Sequence, residues 1–225
     1  MRINRVLLGA VMIAALSLGL WLIVSPSIER QANQMKQDEL LENIISVIAE
    51  NESQTLASVL QDTTTDSQET VSSVITPTPI PLDPTEFPDG IIPIGILTID
   101  SIDLILPVME GVDEPELRIA PGRVPQTAQI GEIGNAVIAG HRNYSFGSMF
   151  NRLGEVGLGD VVEFRAMSGE LMLFEVFEIL EITPENQIAF IQPQNDSIIT
   201  LYTCTPIRVA THRLLVRAIK IEGGF

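Results

Sequence analysis

From residue 93 to residue 225 the chain is a succession of seven short apolar runs, each six to ten residues long. They occupy residues 94–99, 104–109, 135–140, 161–167, 171–179, 198–204 and 212–221. Runs of this length, closed by Gly, Pro, Asn and Asp, read as strands, and several in a row read as a barrel or sandwich. The punctuation is explicit at Pro121-Gly122, at residues 157–160 and 193–196, and at Ser168-Gly169 between the fourth and fifth runs. Helical patterns in this part are few and short, at residues 115–119 and 146–153. The 133 residues suffice for one compact domain. The fold class expected is therefore mainly β, with helical inserts.

The first 92 residues have a different character. Residues 6–24 are nineteen residues without a charge, long enough to cross most of a hydrocarbon core of about 30 Å. Arg2 and Arg5 precede the run and Trp21 lies near its far end, which predicts a single-pass helix with a cytoplasmic N-terminus. A cleaved signal peptide is the competing reading. Its apolar core would be shorter, about 7–15 residues, and no small-x-small cleavage site follows. Either reading exports residues 26–225. No second apolar run of spanning length follows the last strand-like run.

Residues 37–60 repeat apolar positions at helical spacing, through Leu41, Ile44, Ile45 and Ile48 and on to Leu56, Val59 and Leu60. They predict an amphipathic stalk helix that packs on something. Residues 61–89 turn to Thr, Ser, Asp and Pro, with five prolines from Pro77 to Pro88, a semi-rigid extended spacer. Residues 26–92 hold 2 basic and 12 acidic residues, whose repulsion favours extension. The expected organisation is 1–25 cytoplasmic tip and anchor, 26–92 stalk and linker, and 93–225 the functional domain.

Composition removes several classes of function. A formal net charge of −16 argues against nucleic acid as a partner. Membrane lipid enters only as the medium around residues 6–24. One cysteine excludes a disulfide scaffold, and with two histidines it leaves little for a metal site. No cofactor is implied.

The same scarcity makes the reactive residues few. Cys204 ends a strand-like run and precedes Thr205-Pro206, where the ladder must stop because proline has no N–H. Taken alone, such a cysteine reads as a small buried hydrophobe or as an accessible nucleophile at a strand end. His141 follows the apolar run NAVIAG and opens a polar loop; its bland reading is a surface histidine. Arg213 lies nine residues after Cys204, so two adjacent strands could bring them together, and its bland reading is a solvated arginine. No acidic third partner is marked by spacing.

Three motifs taken together carry more weight. LYTCTP at residues 201–206, THRLLVR at 211–217 and AGHR at 139–142 resemble the sortases, cysteine transpeptidases of the outer membrane face of Gram-positive bacteria. Thr200-Leu201-Tyr202-Thr203-Cys204 matches the family's TLxTC signature, and residues 94–111 look like its first two strands. The resemblance implies a closed eight-stranded sortase-type β-barrel behind a transmembrane helix and stalk, at the cell membrane with the catalytic domain outside. It implies Cys204 as nucleophile, His141 as general acid/base and Arg213 as substrate and oxyanion stabiliser. His212, which alternates to the other sheet face, is read as structural. The implied partners are LPxTG-like sorting signals of secreted surface proteins and a cell-wall precursor amine as acceptor.

HRNYSFGSMFNRL at residues 141–153 looks closest to class D, while the stretch from Thr203 to Arg217 looks like the pilus-assembling class C. Asp83-Pro84 resembles the inhibitory segment of pilus sortases, but Thr85 stands where that segment carries an aromatic residue. A class D-like wall-anchoring enzyme is therefore favoured. A pilin polymerase using a pilin lysine as acceptor, and a non-catalytic membrane-tethered β-domain for binding, are the alternatives. A calcium-binding loop finds no acidic cluster in residues 178–195.

Overall fold

The computed structural model describes residues 2–62, 92–142 and 149–221. Eight strands form a closed barrel: β1 (Pro93–Ile99), β2 (Leu104–Glu110), β3 (Gly122–Arg123), β4 (Gly134–Ala139), β5 (Val161–Ala166), β6 (Leu171–Ile182), β7 (Ser197–Thr205) and β8 (His212–Lys220). Their order around the barrel is β1-β2-β3-β4-β7-β8-β6-β5, with β5 pairing back to β1. The β2–β3 and β4–β7 pairs are parallel and the other pairs antiparallel.

All seven apolar runs become strands. The eighth strand, β3, is two residues long and carries no periodic signal. Its placement comes from partners distant in sequence, Met109 and Glu110 on one side and Ile138 and Ala139 on the other. The helical segment expected at 115–119 is a single turn, α2 (Glu114–Leu117). Of the one expected at 146–153, residues 146–148 lie outside the described residues, and the rest is a turn leading into a 3-10 helix at Leu153–Glu155.

Strand alternation separates two environments. Inward positions such as Leu97, Leu106, Ile138, Phe164, Phe174, Ile199, Leu201 and Val216 fill one continuous core, joined at the barrel end by Phe150 and Leu153. A half-buried ion pair of Arg123 with Glu110 ties β3 to β2, and Arg123 also donates to the carbonyls of Thr127 and Ala128. On another side, Asp160 Oδ2 accepts from the Gly157 N–H at 2.9 Å and the Ser101 hydroxyl at 2.7 Å. These charge-assisted bonds hold its carboxyl below the ordinary carboxylate range, the Gly157 amide contributing most.

The N-terminal helix, α1 (Arg2–Asp62), is longer than the 37–60 pattern predicts and runs unbroken through Pro26. Its apolar face has a partner. Leu40, Ile44 and Ile48, one turn apart, are buried against Ile96 on β1, Met109 on β2, Ile119 and Ala120 ahead of β3, and Met167 just after β5. Asn51 donates to the Met167 carbonyl at 2.8 Å and Arg165 to Glu52 at 2.8 Å. The face that packs is centred on Leu40, Ile44 and Ile48; Ile45 is 51% exposed. Part of the expected stalk thus belongs to the packed body of the molecule. No helix among the described residues is long and apolar enough to cross a membrane. Most side chains of residues 6–24, and all of the spacer at 63–91 with Asp83-Pro84 in it, lie outside the described residues.

Candidate active site

The three candidate residues converge on one end of the barrel. On β7, Ile199 and Leu201 point into the core, so Thr200, Tyr202 and Cys204 face outward. Antiparallel register with β8 places Arg213 directly opposite Cys204, and β6 places Ile182 opposite Arg213. Directly opposed residues have Cα atoms about 4.5–5.5 Å apart, so the two side chains leave the sheet from neighbouring positions. The next outward row is Tyr202, Leu215 and Leu180, and the one after it Thr200, Arg217 and Glu178.

Parallel register brings in the histidine. Ala139 pairs with Tyr202, the last pair of that ladder, and His141 follows two residues beyond the end of β4, as Cys204 follows Tyr202 on β7. The Gly140 N–H donates to the Tyr202 carbonyl at 3.1 Å, and the buried Thr203 hydroxyl donates to the Gly140 carbonyl at 2.7 Å. Both bonds tie the residue before His141 to the two residues before Cys204. Gly140 is required by space: a Cβ there would come within 2.8 Å of the Phe150 ring and 3.0 Å of Pro121. This explains the glycine of the AGHR motif. The loop after Arg142, residues 143–148, lies outside the described residues.

Cys204 is a free, half-buried thiol, neither enclosed in the core nor fully solvated. Arg213 Nη1 donates to the carbonyls of Ala210 at 3.2 Å and His212 at 3.0 Å, which steadies the guanidinium on its own loop. No protein acceptor is recorded for its other N–H groups among the described residues. Arg217, on the same outward face, is engaged differently: it forms an ion pair with Glu178 and lies 5.2 Å from the Phe177 ring centroid. His212 pairs with Thr205, the next position along the ladder, and its Nδ1 is 3.9 Å from Glu181.

The support beneath these residues is not legible in the sequence motifs. Asn135 is fully buried; its Oδ1 accepts from the Thr200 hydroxyl at 2.7 Å and its Nδ2 donates to the Ala189 carbonyl at 2.8 Å. It thereby fastens the β6–β7 connection over an apolar shelf of Ile182, Ala189 and Leu215, edged by Ile188, Phe190 and Tyr202. A polar residue at the head of the run NAVIAG, and Thr200 inside IITLYTC, were the available signals. Arg142 is a second such residue: its Nη1 donates to the Thr205 hydroxyl at 2.9 Å and its Nε to the Asn151 carbonyl at 3.4 Å.

A closed eight-stranded barrel, with Cys204 and Arg213 paired on adjacent strands and His141 just beyond a third, fits what the resemblance to the sortases implies. The sequence model of the sortase domain matches residues 97–221, and the chain belongs to the sortase family. It is 30% identical over 112 residues to sortase D of Bacillus subtilis, covering 50% of this chain and 54% of that protein. It therefore spans about half the length of that curated relative. Among solved structures, a lid mutant of sortase A from Corynebacterium diphtheriae is 32% identical with a TM-score of 0.55, over 58% of this chain and 71% of that one. A pilus-related sortase C of Group B Streptococcus is 30% identical with a TM-score of 0.53, over 58% and 68% respectively.

Proposed function

We propose that the protein is a class D-like sortase that cleaves an LPxTG-like sorting signal after threonine and transfers the new carboxyl end to a cell-wall peptide amine. The observation that supports this reading is the direct pairing of Cys204 with Arg213 across β7 and β8, with His141 two residues beyond the end of the neighbouring β4. The thiolate of Cys204 attacks the threonine carbonyl carbon and forms a C–S bond. The Thr–Gly C–N bond breaks as protonated His141 gives its proton to the leaving amine, and a thioester remains. The acceptor amine attacks the thioester, His141 takes the amine's proton, and the thiolate is released. Arg213 offers directed N–H donors to the carbonyl oxygen as negative charge gathers on it. The half-buried edge of the apolar shelf, Tyr202 with Ile188 and Phe190, supplies apolar surface on the Cys204 face of β7 on which signal side chains can rest.

Residues 6–24 anchor the chain in the cell membrane, with the barrel outside. The absence of charge over nineteen residues, behind Arg2 and Arg5, supports this. Protease added to intact protoplasts should then digest the barrel, and its protection would place the barrel inside.

The chemistry is tested by incubating the protein with a small library of sorting-signal peptides and weighing the product. A mass increase equal to the signal up to its threonine, absent from Cys204→Ala, is expected. Absence of any acyl-enzyme from the unaltered protein would reject the reading. A pilin lysine as acceptor is the second reading, favoured by the likeness to a pilus-related sortase C. Polymer ladders with a co-expressed pilin, and no transfer to wall peptide, would select it.

A further inference from the structure

We propose that Arg142 is a positioning residue for the reaction, which holds His141 at the correct separation from Cys204 by strapping the loop after β4 to the end of β7. This rests on the transpeptidase reading above. Each of the two reacting groups has Arg142 or its acceptor as an immediate neighbour. Arg142 follows His141 directly, and Thr205, which accepts from Arg142 Nη1 at 2.9 Å, follows Cys204 directly. Thr205 is 6% exposed, so its hydroxyl is a fixed acceptor. The other arm, Nε, reaches the Asn151 carbonyl at 3.4 Å on the turn that returns to the core through Phe150 and Leu153.

The strap completes a set. Ahead of His141, the loop is already fastened to β7 by the Gly140–Tyr202 and Thr203–Gly140 bonds. Behind it, the fastenings are the Phe150 N–H, which donates to the His141 carbonyl at 3.1 Å, and the Arg142 guanidinium. Arg142 is the one of the two that connects directly to the strand bearing Cys204. The fork geometry matters, because Nη1 and Nε serve acceptors on two different segments, and a lysine's single ammonium group cannot span both.

Gly154 supplies independent support for a reserved seat. A Cβ at Gly154 would come within 2.4 Å of Arg142 Nη2 and 3.5 Å of its Cζ. The Gly154 backbone is not in the left-handed region, so the conformation does not call for glycine there; the guanidinium does. Gly154→Ala therefore displaces the strap without altering Arg142, and Thr205→Val removes its acceptor with little change of shape.

The test uses the full-length protein and two readouts. The first is steady-state acylation by a sorting-signal peptide. The second is the pH profile of Cys204 alkylation by iodoacetamide, which needs no substrate. Misplacement of a reacting group by about 1 Å costs on the order of 10²-fold, so we expect Arg142→Lys to lower kcat about 10–100-fold with KM within about twofold. The alkylation profile should shift with it, because the strap sets where the imidazole stands relative to the thiol. Gly154→Ala should show the same pattern at about 3–10-fold. Thr205→Val should add little to Arg142→Lys, and Thr205→Ser should restore most of the Thr205→Val loss.

Arg142→Lys with an unchanged kcat and alkylation profile, and only a lower melting temperature, would make the strap a stability element and overturn the proposal. If Arg142→Lys does not fold, unchanged kcat and profile in folded Gly154→Ala and Thr205→Val overturn it equally. Failure of the unaltered protein to acylate while its thiol alkylates would instead reject the transpeptidase reading.

Discussion

Cys204 and Arg213 are register partners across β7 and β8, while Arg217, on the same face, is partnered with Thr200 and held by Glu178. The two arginines are indistinguishable by periodicity, being four residues apart on one strand. Their neighbours separate them. Arg213→Lys should keep the protein folded and reduce acylation about 10²–10³-fold, the usual cost of a lost oxyanion donor. Arg217→Lys should keep the acylation rate and lower stability by about 1 kcal/mol, through loss of the guanidinium's bond to Glu178 and its packing on the Phe177 ring. Acylation by one peptide and a urea melt of each variant separate the two effects. A larger acylation loss in Arg217→Lys would move the role to Arg217.

Cys204→Ala and His141→Ala should each abolish transfer with the barrel intact, since groups acting as a unit lose nearly everything singly. His212→Ala should retain most of the activity. It sits next to Arg213 in sequence but pairs with Thr205 and neighbours Glu181, one position further along the ladder than Cys204. Single-turnover acylation and far-ultraviolet circular dichroism on all three variants check this. Turnover near the unaltered rate by Cys204→Ala or His141→Ala would remove that residue from the mechanism.

How far the sequence could be read depends on how local each signal is. Strands with alternating faces, such as β7 and β8, declare themselves because one side must be apolar. β3 does not, since two residues are too few to show alternation and only their pairing with β2 and β4 makes them a strand. Cys204, His141 and Arg213 stood out by chemical type and motif. The roles of Asn135 and of Arg142, the last residue of AGHR, are not legible there, because their work consists of hydrogen bonds to residues more than fifty positions away, at Ala189 and Thr205. The face of α1 that packs was blurred for a similar reason. Leu41, Ile44, Ile45 and Ile48 fit one helical stripe, but which edge of it is covered depends on the shape of β1 and β2.

The packed face of α1 changes what truncation should do. Ile44 is fully buried between the helix and the barrel. Ile44→Ala should cost about 2–4 kcal/mol, as for other large-to-small changes at packed sites. Removing residues 27–90 uncovers Ile96, Met109, Ala120 and Met167 together, so the shortened protein should unfold at lower denaturant and self-associate at concentrations where the intact protein does not. The active end, on β4, β7 and β8, lies across the barrel from β1, so acylation by the folded fraction should persist. Urea midpoints and light scattering measure the first two effects. Equal midpoints for the intact and shortened proteins would mean that the helix contributes nothing to the stability of the barrel.

Asp160 gives the fold a pH dependence whose sign can be worked out. Its carboxylate accepts from the Gly157 amide and the Ser101 hydroxyl, and both bonds favour the charged form. The folded pKa is therefore below that of the unfolded chain. A group depressed in this way contributes stability that is fully present above its unfolded pKa and is lost as pH falls through its folded pKa. Asn at this position keeps an acceptor oxygen but has no charge to lose. Asp160→Asn should accordingly be less stable than the unaltered protein at pH 7, by a melting difference of about 1–3 °C for one partly solvated charge-assisted pair of bonds. That difference should shrink as pH drops below the ordinary carboxylate range, about pH 4, and disappear once Asp160 is protonated in both states. Ser101→Ala should reduce the difference at pH 7 without removing it, because the Gly157 amide contributes more. Melting temperatures of the three proteins from pH 7 down to about pH 3 test this. A gap between Asp160→Asn and the unaltered protein that stayed constant across that interval would assign the effect to shape and hydrogen-bond number instead of charge.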